Sequence, residues 1–232
     1  MTVSGLRELK KERTRQTLSD TAVELFLARG FDAVSVAEIA AAAEVSKPTL
    51  FRYFPAKEDL ALYRFADHED EPARVVAAAR AAGVPPLDAL RDHVLAGLER
   101  RDPVTGLNDD PRVLAFLRLL YGTPALVARM SAYQGRSEEA LAAALGGTGD
   151  GGRGDEGSRG GGSGNLGNEG SRGSGDSLGA RLAAAQIVAV LRVLAHENVR
   201  RVEAGEPVEA VLPDAVAAAE LAFRRLAEGL PY

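Results

Sequence analysis

Apolar positions along the chain recur at three- and four-residue spacing, and no long stretch alternates with period two, so the chain reads as helical throughout. Leu18, Ala22, Leu25 and Phe26 form one stripe within a helix expected over 13–29, which Gly30 ends as a left-handed cap. In "VSVAEIAAAAEV" (34–45), Ser35 and Glu38 have the spacing of a capping box, and Val34 and Ile39 that of a hydrophobic staple. These signals predict a helix from Val36 to about Ala43. Ser46 is the next N-cap, Pro48 suits the first turn of a helix over 46–54, and Pro55 stops it. A longer helix is expected from Lys57 to about Ala82, bent or interrupted at Pro72, with Glu58 and Asp59 at its positive end. Further helices are expected at 87–101, 111–121, 124–145, 178–204 and 208–229, with Gly205 and Pro207 marking the last turn.

One segment breaks the pattern. Residues 146–179 hold 16 glycines in 34 positions and no aromatic residue. Such a composition buries too little apolar surface to offset its ordering entropy, so a mobile, disordered loop is expected there.

Composition narrows the function classes. No cysteine is present, which removes disulfides, thiolate metal sites and cysteine nucleophiles. The start of the chain lacks a signal-peptide core, and no apolar run of about 18 residues stands out, so a cytoplasmic protein with no membrane partner is expected. Net charge is −5, but residues 1–57 carry nine Lys/Arg against seven Asp/Glu, while the remainder carries 19 against 26. A mildly basic head on an acidic body suits contact with a polyanion at one end. No nucleophile elbow, zinc-protease motif or dinucleotide fingerprint occurs, so no enzyme activity, cofactor or metal is expected. The "DHEDE" run at 67–71 reads as a solvated acidic stretch.

The tandem short helices carry the candidate chemistry. Ala40 is small enough to sit where two helices cross, and Ile39, Ala43, Val45 and Leu50 supply the inward face of a helix-turn-helix unit. Glu44 falls in the turn, where glycine would be most comfortable. The second helix then shows Lys47, Thr49 and Arg52 outward, with Pro48 and Phe51 alongside. These residue types suit base edges or a thymine methyl. Ser35 and Ser46 stand at the helix starts, and Tyr53 and Lys57 are placed to reach phosphates. Arg7, Lys10, Lys11, Arg13 and Arg15 form a basic N-terminal run.

From Ala22 to Leu60 the pattern A-x-E-L-F-x-x-x-G-F-x-x-x-S-V-x-E-I-A-x-x-A-x-V-S-K-x-T-L-F-x-Y-F-x-x-K-E-D-L resembles the DNA-binding domain of the TetR family of transcriptional regulators. The resemblance implies an all-α fold. It assigns residues 1–56 to a three-helix DNA-binding domain and 57–232 to a ligand-sensing and dimerisation domain. It implies a homodimer on a pseudo-palindromic double-stranded operator, released by a small molecule. At the positions of Lys47, Pro48, Thr49 and Phe51 the family meets the major groove, and at Tyr53 and Lys57 the backbone. Phe51 is often tyrosine in relatives, so a hydroxyl-to-phosphate bond is missing here. The rival class is a helical ligand-binding or interaction protein that retains a vestigial helix-turn-helix.

In the larger domain, His93, Phe116, Leu120, Tyr121, Arg129, Met130 and Tyr133 are the candidate pocket residues, apolar walls with a few polar tips for a lipophilic effector. The segment 181–199 is apolar nearly all round, which calls for burial on one side by its own domain and on the other by a partner. Ile187, Leu191 and Leu194, with Val216 and Phe223 of the last helix, are the candidate interface across a two-fold axis.

Overall fold

The computed structural model describes residues 3–147 and 169–229, and every regular element among them is helical. Three helices form a head: α1 (Val3–Arg29), α2 (Val36–Ala42) and α3 (Lys47–Tyr53). The body comprises α4 (Lys57–Leu62), a 3-10 segment (Tyr63–His68), α5 (Glu71–Ala81), α6 (Pro86–Glu99), a 3-10 turn (Pro103–Thr105), α7 (Pro111–Gly122), α8 (Pro124–Gly146), α9 (Glu169–Glu203) and α10 (Val208–Glu228). The all-α class follows the periodicity of the sequence, and so do the bounds of α2, α3, α6, α7, α8 and α10 to within two residues, while α1 and α9 begin about ten residues earlier than expected.

Head and body share one core. Leu18, Ala22 and Phe26 of α1, Ile39 and Ala40 of α2 and Leu50 of α3 pack in one cluster with Leu60 of α4, Phe116 and Leu120 of α7 and Leu126 of α8. Residues on both sides of position 56 thus pack in a single cluster. Two further clusters lie in the body. Val76, Leu90, Leu141, Ile187 and Phe223 form one, and Leu98, Leu107, Val202, Val211 and Ala219 the other.

The long helix expected over 57–82 is instead broken between Leu62 and Glu71, ahead of Pro72. A continuous helix would drive the Pro72 ring against the carbonyl of His68 and leave that carbonyl without its donor. Pro72 instead occupies the first turn of α5, where it costs no bond. The break is secured by side chains. Phe65 stacks on Phe116 with centroids 5.8 Å apart, Arg64 pairs with Asp20 at 2.8 Å, and the Tyr63 hydroxyl donates to Glu12.

At the glycine-rich segment, Gly146 belongs to the last turn of α8 and the helical backbone of α9 begins at Glu169, so both ends of the expected loop are helical. Residues 148–168 lie outside the described residues. Leu178–Glu203 is long and apolar enough to cross a membrane by length and composition alone, contrary to the reading that no such run exists. It packs within the body through Ala184, Ile187, Val188, Val199 and Val202.

A close backbone approach fixes one side of the body. Gly106 has φ +73, and a Cβ there would lie 2.1 Å from the Ala195 carbonyl oxygen of α9 and 2.9 Å from the Val199 side chain. Gly30 has φ +87 but open space around it. Gly106→Ala is therefore expected to cost at least about 2 kcal/mol, from strain and overpacking together. Gly30→Ala is expected to cost only the left-handed penalty, on the order of 1 kcal/mol. Urea unfolding of both variants checks the difference; equal costs would mean that the loop at Gly106 moves away from α9 freely.

Candidate nucleic-acid interface and ligand cavity

The interface is built from caps and one buried leucine. The Ser35 hydroxyl accepts from the Glu38 N–H at 3.2 Å, and Glu38 accepts from the Ser35 N–H at 2.8 Å, closing the expected box. Val34 and Ile39 are both buried, as a staple requires. The turn that follows bends at Glu44 with φ +55, a left-handed residue that is not glycine. Ser46 then caps α3 by accepting from the Thr49 N–H at 3.2 Å. Leu50 is fully buried and Phe54 nearly so, which turns Lys47, Pro48, Phe51 and Arg52 outward.

The exposed face pairs cations with rings. The Lys47 ammonium lies 5.8 Å from the Phe51 ring centroid, and the Arg52 guanidinium 5.6 Å from that of Tyr53. Phe51 is 41% exposed, a large apolar side chain held in solvent. Tyr53 is half-buried against the head core. Thr49 is half-buried, with its hydroxyl 2.8 Å from that of Ser46. Ser35 is engaged as a cap.

Lys57 is placed differently from its expected reach toward phosphate. Its ammonium donates to the Phe31 carbonyl at 2.5 Å and sits 4.1 Å from the Phe31 ring centroid. That carbonyl closes the loop after α1, so the charge is engaged in holding α4 to the head. Sequence spacing could not reveal this, because the partner is a main-chain oxygen 26 residues away.

Two ion pairs overlooked in the sequence organise the site. Arg29 donates to Glu38 at 2.8 Å, bracing α1 against α2. Arg129 of α8 grips Asp59 with two bonds, at 2.7 and 2.9 Å, while Asp59 also accepts from the Ala56 N–H at the start of α4. Arg129 is thus committed to Asp59 and is not among the residues lining the cavity. One further bond ties α1 to α4, from the buried Ser19 hydroxyl to the Leu60 carbonyl at 2.8 Å.

The cavity lies between α6, α8 and α9 and encloses about 210 Å³. His93, Tyr121, Met130 and Tyr133, among the candidate pocket residues, line it. Leu120 does not, being fully buried in the shared core, and Phe116 lines a neighbouring cleft instead. The polar wall is a carboxylate between two imidazoles. His68 Nδ1 lies 2.7 Å and His93 Nε2 3.2 Å from Glu71. The His68 hydrogen bond holds Glu71 below the usual carboxylate range, against the opposing effect of burial. Burial pushes the Tyr121 hydroxyl up, and its ring meets His196 edge-on at 4.8 Å. His68 and Glu71 come from the "DHEDE" run read as solvated; their three-residue spacing was the available signal. Among the described residues no group of three such side chains is arranged to hold a metal.

The candidate interface residues divide. Ile187 and Phe223 are buried inside the body and offer a partner no surface, because the clusters of α5, α6 and α8 take them up. Leu191 and Leu194 line the cavity, and Val216 is half-buried on the lower core. The outward stripe is instead Leu178, Leu182, Ala189 and Val193 of α9, beside Leu221 of α10. Its spacing of four, seven and four residues was legible as a helical stripe, but which stripe faced outward was not.

The profile described as "Bacterial regulatory proteins, tetR family" matches residues 18–63, the whole of the helix-turn-helix and its support. The HTH-type transcriptional regulator TcmR of Streptomyces glaucescens is 40% identical over 136 residues, which span 58% of this chain and 58% of that protein. The secondary repressor NalD of Pseudomonas aeruginosa shares the fold over 92% of this chain and 96% of its own, with a TM-score of 0.54 at 19% identity. Thermus thermophilus FadR, a TetR-family repressor solved with lauroyl-CoA, does so over 94% and 95%, with a TM-score of 0.50 at 22% identity.

The capping box yields a pH signature. The Ser35 N–H and hydroxyl, then Arg29, bring the Glu38 carboxyl from 4.5 down to about 2. A lowered folded-state value stabilises the head fully above pH 4.5, and that stabilisation is lost as pH falls toward 2. Glu38→Gln is expected to melt lower than the parent at pH 7, with the gap narrowing below pH 4.5. Thermal unfolding across pH 7 to 3 reads this, and a gap independent of pH would remove the charge from the explanation.

Proposed function

We propose, starting from the chain's membership of the TetR family, that it is a ligand-responsive DNA-binding transcriptional regulator, a repressor that a small molecule releases from its operator. The observation that carries this reading is the outward face of α3, where Lys47, Pro48, Phe51 and Arg52 stand exposed on a helix whose other face is anchored by fully buried Leu50. Lys47 and Arg52 supply donors for base edges or phosphates, and Phe51 an apolar surface for a thymine methyl. Two such heads in a two-fold dimer would meet successive major grooves about 34 Å apart, or a multiple of that. The site of action is the cytoplasm, where operator DNA lies.

Release works through α4. An occupant of the cavity pushes on α8, which supplies Met130 and Tyr133 to the wall. Arg129 of the same helix holds Asp59 in the first turn of α4, and Ser19 holds α4 to α1. A shift of α8 therefore changes the spacing of the two heads. The ligand achieves this only by binding the DNA-free arrangement more tightly than the DNA-bound one. The apolar walls favour a lipophilic effector.

Gel retardation on the gene's own upstream DNA tests the central claim. Binding to a pseudo-palindrome is expected. Lys47→Ala and Arg52→Ala should each weaken it by about 1–3 kcal/mol, roughly 5- to 150-fold. Lys57→Ala should lower the melting temperature of the head more than it changes the salt dependence of binding, since its ammonium serves the Phe31 carbonyl. Absence of specific retardation at low salt, with the fold intact, would favour the rival reading of a vestigial helix-turn-helix.

Dimerisation is assigned to the stripe of α9 and α10. Val193 is 57% exposed and Leu182 56%. Val193→Arg and Leu182→Arg are expected to yield folded monomers in analytical ultracentrifugation, whereas Ile187→Arg should unfold the body. Dimers that persist in both exposed variants would place the interface elsewhere.

A further inference from the structure

A cavity of about 150 Å³ accommodates benzene, and drug-sized ligands occupy roughly 300–1,000 Å³. The cavity between α6, α8 and α9, at about 210 Å³, therefore houses only one end of a typical effector. A second cavity of about 530 Å³ lies beyond it, in the cleft between α1 of the head and α7 of the body. Phe65, His68, Asp102 and Val104 line both, so the two compartments share a wall.

We infer that the effector site is bipartite: one elongated, amphipathic ligand lies in both compartments, its apolar body bent past Phe65 and its polar end in the cleft between α1 and α7. The inference rests on the sensor reading proposed above and adds where the ligand lies and what class it belongs to. The outer compartment has apolar walls in Val23 and Leu27 of α1 and in Val113, Phe116 and Leu117 of α7. Its rim is polar and charged, with Gln16, Glu24, Arg64, Asp110 and Arg112. Leu27 is a large apolar side chain left exposed on this side of α1, which an occupant would cover. The partition is the 3-10 segment Tyr63–His68, six residues long where such runs seldom exceed four, and segments of this kind often serve as hinges. The segment is joined to α1 at its start, through the exposed Arg64–Asp20 pair and the Tyr63 hydroxyl on Glu12, and the Phe65 ring beyond that stacks on Phe116. A ligand in the cleft touches α1 itself, so it acts on the head directly as well as through Asp59 and Arg129.

Two probes and three fillers test this on the full-length protein. Indole is small enough to fit within the inner compartment of about 210 Å³, and Nile red is larger than that compartment. Val94→Trp obstructs the inner compartment, while Leu27→Trp and Val113→Trp obstruct the outer one; Leu27 is an exposed position that tolerates the change. Melting temperature and DNA retardation confirm that each variant is folded. The parent protein is expected to bind both probes. Val94→Trp should weaken both at least tenfold, whereas either outer variant should weaken Nile red at least tenfold and leave indole unchanged. Nile red binding that survives both outer variants but fails in Val94→Trp would overturn the bipartite site and leave the sensor reading standing. Failure of both probes to bind the parent would overturn the two together.

Discussion

Leu60 belongs to two bodies at once, and the rest of the molecule is arranged around that fact. Its side chain is fully buried among residues of α1, α2, α7 and α8. Its carbonyl takes the buried Ser19 hydroxyl, and the preceding Asp59 is held by Arg129. A helix of six residues has little stability of its own, so α4 exists because both sides hold it. Movement on either side is consequently felt on the other, since close-packed interiors transmit displacement rather than absorb it. The head is not a bead on a linker.

The outward face of α3 shows how a short helix can be rigid without being buried. Seven residues of α3 are fixed by a serine cap, a proline in the first turn and one leucine driven into the core. The cost of the tight turn falls on Glu44, which adopts a left-handed backbone without the freedom of glycine. What remains outside is a surface of cations resting on rings. Stacking of this kind limits the conformational freedom of Lys47 and Arg52 before any partner arrives, which lowers the entropy lost on binding.

The fold was legible in the sequence because its signals are local. Capping residues, prolines and the three-to-four spacing each act within a few positions, so α2, α3, α6, α7 and α8 could be placed almost to the residue. The break after Leu62 was not legible. It depends on Phe65 meeting Phe116 and Arg64 meeting Asp20, partners about fifty and forty residues distant. The candidate site divides in the same way. The outward set on α3 follows from Leu50 and the helical period. The fates of Lys57, Arg129, Ile187 and Phe223 were set by contacts across the fold. An apolar helix such as α9 announces burial without saying which stripe meets its own chain.

Gly106 against the Ala195 carbonyl has a consequence for how this protein can change. Beside that contact, the buried Asn198 amide donates to the Thr105 carbonyl at 2.9 Å. One side of the inner cavity is thus closed by main chain and by a side chain already committed to main chain. Substitution has little purchase there, because backbone has no alternative side chain to offer and Gly106 admits no other residue. Elsewhere the cavity is lined by side chains such as Val94, Met130 and Tyr133, which can be exchanged one at a time. The cavity has one wall set by main chain and others set by exchangeable side chains.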